Sequence, residues 1–175
     1  MEVATARPGY ELWRPNREKA QNKTTKAVVA FVLLVSAGLI ALIVVGGWER
    51  MQSSSIAIMS LIWAGLYVFF ALLILNWNRG VLPVASALAV IMTIFAVVAA
   101  PNWFARDKEG LDSPLLPEDL IGLLVVVLIP VQILLIIVSM IAFNQEWHVE
   151  EERPTGGGSL AGEDPGTAPP APSPA

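Results

Sequence analysis

The chain has 175 residues, 55% of them hydrophobic, with a mean hydropathy of +0.62 and a formal net charge of −4. A soluble domain of this length has no core large enough to hide so much apolar surface, and the apolar residues are gathered into long blocks, which is the pattern of membrane spans. The absence of cysteine excludes disulfides, thiolate metal sites and a cysteine nucleophile, and the single histidine, His148, excludes a haem held by two histidines of this chain.

Residues 1–25 read as a polar cytoplasmic leader. Within it, Tyr10 and Trp13 form an aromatic cluster flanked by Pro8-Gly9 and Pro15. Two readings stay open for that cluster: a segment resting at the lipid headgroups, or a docking motif for another protein.

The first span is expected over 26–48. Between Lys26 and Glu49 lie 22 residues without a formal charge. A helix rising 1.5 Å per residue needs about 20 residues to cross the hydrocarbon. From Ala27 to Val45 there are thirteen Val, Leu, Ile or Phe residues, which favour insertion by about 4 to 8 kcal/mol. The apolar run is too long for the core of a cleaved signal peptide.

Three more charge-free gaps, of 28, 26 and 26 residues, predict spans over 55–77, 81–101 and 119–145. The blocks are continuous, so helix rather than an alternating barrel strand is expected. Four tryptophans, Trp48, Trp77, Trp103 and Trp147, follow the ends of the four spans and read as headgroup-level anchors. The short connections 49–54 and 78–80 predict that consecutive helices are antiparallel neighbours.

The segment 102–118 is expected to be an extracytoplasmic loop, solvated rather than calcium-binding. Its acids Asp107, Glu109 and Asp112 lack the ligand spacing of a calcium loop. Glu118 and Asp119 suit the positive end of the fourth helix. The tail 150–175, with Gly156–Gly158 and many Pro and Ala residues, is expected to be disordered. Eight basic residues fall on the side of both termini and three on the other, which predicts cytoplasmic termini in a bacterial-type plasma membrane.

Small residues mark candidate packing faces: Ala30, Ala37 and Ala41 on span one; Ser60, Ala64, Tyr67 and Ala71 on span two; Ala85, Ala89, Thr93, Ala96 and Ala100 on span three. Span four is aliphatic except for Pro130, which predicts a kink, and for Gln132 and Ser139, which share a face. Gln132 is expected to bond a neighbouring helix or the carbonyl freed by Pro130.

No acid, base or histidine lies deep in any span, so no proton relay, charge-coupled transport site or hydrolase is expected within them. His148, between Glu146 and Glu150, is expected to be a solvated interfacial residue rather than a metal ligand. No cofactor and no nucleic-acid partner are expected.

These readings add up to an all-α integral membrane protein, a four-transmembrane-helix antiparallel bundle with flexible cytoplasmic termini. The expected partners are the lipid bilayer and other membrane subunits or copies of itself. The expected role is that of a non-catalytic accessory, assembly or scaffolding subunit. The alternative is a small oligomeric transporter or channel, whose path only Ser60, Tyr67, Ser86, Thr93 and Gln132 can line.

Overall fold

A computed structural model describes residues 8–51, 53–104 and 115–155. The expectations for the acidic loop around Asp112 and for the glycine run at Gly156–Gly158 lie outside those residues. The chain divides into two units, residues 14–149 and a smaller one that joins residues 1–13 to 150–175.

The larger unit begins with a short helix α1, Pro15–Glu18, whose proline sits at the first helical position, where its missing N–H costs nothing. Helix α2 spans Ala20–Gly46, so it starts about two turns before the expected boundary. The charges of Lys23 and Lys26 mark where hydrocarbon would end, but they are good helix formers and do not end a helix. Thr24 and Thr25 fold their hydroxyls onto the carbonyls of Ala20 and Gln21, which spares them from competing for other partners. A 3-10 turn at Trp48–Arg50 follows.

Helix α3, Ser54–Leu75, opens with Ser53 accepting from the backbone N–H of Ile56. Helix α4 spans Val81–Phe104 and runs through Pro101, so the loop expected from residue 102 starts later. A proline in the last turn forfeits one hydrogen bond, here to the Val97 carbonyl, without breaking the helix. Helix α5, Glu118–Phe143, is continuous through Pro130 and ends two residues before the expected boundary. Among the described residues, α2 to α5 are long and apolar enough to cross a membrane.

Helix α2 packs against both α3 and α5, and α5 packs most extensively against α4. Helices α3 and α4, joined by a short connection, do meet, but their backbones approach each other far less than those of the other packed pairs. The buried face of α4 is its alanine stripe, Ala85, Ala89, Ala96 and Ala100. Small residues of this kind let backbones approach closely, and the extensive contact of α4 with α5 takes up that face. Where α3 and α4 do meet, Trp63 stands edge-on to Phe95, with ring centroids 6.2 Å apart.

Contacts pin both ends of this unit. At one, the Lys26 ammonium donates to the Leu75 carbonyl, Gln145 donates to the Thr25 hydroxyl, and Arg79 donates to the Phe143 carbonyl. At the other, the Leu116 N–H donates to the Gly46 carbonyl, and Arg50 pairs with Glu118. Glycine is required there by close approach: a Cβ on Gly47 would lie 2.6 Å from the Trp103 ring, and one on Gly122 would lie 2.8 Å from the Phe104 ring.

In the smaller unit, strands β1 (Tyr10–Trp13) and β2 (Glu151–Pro154) form an antiparallel ribbon in which Leu12 faces Glu152 and Trp13 faces Glu151. The Arg153 guanidinium sits 5.6 Å from the Trp13 ring centroid. The disorder expected from residue 150 therefore does not hold for 151–154. The pairing is made by backbone groups more than a hundred residues apart, and composition carries no trace of it.

Candidate functional site

Helices α2, α3 and α5 bring three polar side chains together in the interior. Ser36, ten residues before the end of α2, lies about 15 Å from that end at the helical rise. Gln132 sits near the middle of α5, and Tyr67 faces it from α3. All three are fully buried, at 0% exposure.

The bonds run in one direction. The Tyr67 hydroxyl donates to Gln132 Oε1 at 2.8 Å, Gln132 Nε2 donates to Ser36 Oγ at 2.9 Å, and the Ser36 hydroxyl donates to the Val32 carbonyl at 2.8 Å. An amide suits the centre of such a chain because it accepts through oxygen and donates through nitrogen. Each of these groups, buried without a partner, costs about 1–3 kcal/mol. The chain therefore ties three helices together and disfavours arrangements that separate them.

The sequence singled out Gln132 and Tyr67 but did not assign Ser36 as their partner. The available signal was that Ser36 is the single hydroxyl or amide between Lys26 and Trp48. Gln132 bonds its neighbours rather than the carbonyl freed by Pro130. Ser60 and Thr93 turn their hydroxyls onto the carbonyls of Ile56 and Ala89 in their own helices. Ser139 and Ser86 are buried, and their hydroxyls have no hydrogen-bond partner among the described residues.

A second polar cluster closes one end of the same unit. Trp147 is fully buried and meets Trp77 edge-on, with ring centroids 5.3 Å apart at 86°. The Lys26 ammonium lies 4.0 Å from the centroid of Trp77. Trp147 donates its indole N–H to Gln145, and its carbonyl accepts from Arg17. Lys26 and Arg79 thus place cations on the carbonyl ends of α3 and α5, where the helix dipole favours them.

The headgroup-anchor reading of the tryptophans needs correction at two of them. Trp147 and Trp103 are covered by protein and act as packing rings, because neighbouring helix ends enclose them. Trp48 is exposed and Trp77 partly so. His148 is exposed, as expected, but its Nδ1 lies 2.7 Å from an Arg79 nitrogen. Arginine only donates, so that ring nitrogen is the acceptor. No group of three or more His, Cys, Asp or Glu residues among the described residues is placed to hold a metal ion.

Comparisons with protein-family models, with curated proteins and with solved structures return no match.

Proposed function

We propose that this chain is a multi-pass membrane protein that works by association, as an accessory, assembly or scaffolding subunit of a larger membrane complex. In this reading the four apolar helices cross a bacterial-type plasma membrane as an antiparallel bundle with both termini in the cytoplasm. The basic excess at the end where α2 and α4 begin supports that orientation.

One observation carries the association reading. Of the five side chains able to line a solute path, Ser60, Tyr67, Thr93 and Gln132 are all engaged in hydrogen bonds within the chain. A path needs polar groups turned toward water. Helix α3 is also the least covered of the four by the rest of the chain, which leaves it an apolar flank for other helices.

The test is extraction in a mild detergent, purification through a terminal tag, and identification and weighing of what accompanies the chain. A stoichiometric membrane partner is expected. A pure homo-oligomer that makes liposomes permeable to a small solute would replace this reading with the channel. Orientation is read separately: with Glu49→Cys, an impermeant maleimide labels whole cells, and with Asn78→Cys it does not.

A further inference from the structure

Along the outer surface of α2 and α5 runs a groove with a cation at its rim. Lys23 is exposed, and no carboxylate among the described residues pairs with it. Below it, Ala27, Val28 and Phe31 form a shallow, widely open apolar surface on α2. That surface adjoins a depression of about 140 Å3 that reaches Val138 and Ile141 of α5. Phe31, at 65% exposure, is the most exposed aromatic ring among the described residues.

Eight residues separate Lys23 from Phe31, which is about 12 Å along the helix axis. That spacing matches the step from phosphate to acyl chain in a bilayer leaflet. Thr24 and Thr25 already donate to backbone carbonyls, so Lys23 is the uncommitted donor among the residues that line the groove.

We propose that this groove holds one anionic phospholipid, its phosphate on the Lys23 ammonium and an acyl chain along Ala27, Val28 and Phe31. The inference rests on the membrane reading above. A second copy of this chain docked two-fold on the same groove would set Lys23 against Lys23, which disfavours that occupant.

The experiment uses the full chain in mild detergent with added dioleoylphosphatidylglycerol or dioleoylphosphatidylcholine, read by native mass spectrometry. One phosphatidylglycerol per chain is expected to be retained in preference to phosphatidylcholine. A lysine at a lipid surface contributes enough that Lys23→Gln lowers phosphatidylglycerol retention about fivefold, with phosphatidylcholine retention and thermal stability unchanged. Phe31→Ala lowers retention of both lipids.

Equal retention of the two lipids by the native chain overturns the proposal, as does a Lys23→Gln variant that keeps phosphatidylglycerol fully. Displacement of the lipid by millimolar glycerol phosphate assigns the site to a soluble anion and overturns it too, as does a dimer that forms as lipid leaves. Resistance to alkaline carbonate extraction separates the two readings. A chain that stays in the membrane without lipid preference loses only this site, whereas a chain that is extracted loses the membrane reading itself.

Discussion

Tyr67 on α3 donates to the side-chain oxygen of Gln132 on α5 across the interior of the helical unit, at 2.8 Å. The two helices share little backbone contact, so this bond and its continuation to Ser36 make a link that apolar packing alone does not supply. Replacing Gln132 with leucine leaves the Tyr67 and Ser36 hydroxyls without that partner. Gln132→Leu is expected to cost about 1–3 kcal/mol and to lower the unfolding temperature in detergent, while the carbonate-resistant membrane association that the proposed function requires is unchanged. An unaltered unfolding temperature would falsify the linking role.

Tyr67→Phe removes one bond and keeps the ring. Interhelical hydrogen bonds in membrane proteins average about 0.6 kcal/mol, with the largest near 1.7, so a smaller loss is expected. In a double-mutant cycle with Gln132→Leu, the two losses should not add, because the second substitution removes a bond already broken. Additive losses would show that the two side chains act separately.

The glycines divide into two groups that a substitution series separates. Gly47→Leu and Gly122→Leu drive side chains into the rings of Trp103 and Phe104, and overpacking of this kind costs about 1–3 kcal/mol. A Cβ on Gly38 or Gly65 meets nothing within 4 Å. Gly38→Ala and Gly65→Ala are expected to hold or raise the unfolding temperature, since alanine is the better helix former. Comparable losses at all four sites would refute the close approaches at the first two.

Trp147 and Trp48 test the corrected view of the tryptophans. Trp147→Ala empties a site enclosed by protein and is expected to destabilise by about 3–5 kcal/mol. Trp48→Ala, at an exposed ring, should cost far less. Thermal unfolding followed by tryptophan fluorescence ranks the two. Equal effects would return Trp147 to the role of a headgroup anchor.

The register of the terminal ribbon is open to cross-linking because the chain has no native cysteine. Leu12 and Glu152 are direct cross-strand partners, and opposite residues in such a ribbon place their Cβ atoms about 4.5–5.5 Å apart. Leu12→Cys with Glu152→Cys is expected to give an intramolecular disulfide on mild oxidation, seen as a two-dalton loss by mass spectrometry. Leu12→Cys with Arg153→Cys, off register and on the opposite face, should form it poorly. Equal yields from the two pairs would rule out the register.

The number of apolar helices and their approximate positions follow from the residue order alone, because a long charge-free run leaves a backbone little choice but helix. Helix ends were less legible. Lys23 and Lys26 mark a change of polarity but not of backbone, and Pro101 and Pro130 stand inside helices that continue past them. The alanine stripe of α4 was legible as a packing face, since small residues at helical spacing lie on one side.

Which surfaces meet was settled by packing in three dimensions. Nothing local tells α4 to prefer α5 over α3, to which it is tied by a few residues, because that choice depends on how whole faces complement one another. Gln132 announced a buried hydrogen bond, but Tyr67 and Ser36 became its partners only when three helices set them at matching depth. The same holds for Trp147 over Trp77 and for β1 beside β2, contacts between residues 70 and more than 130 positions apart. Composition and periodicity describe each segment against its surroundings. Pairing is a property of two segments at once, and it is settled only when the chain folds.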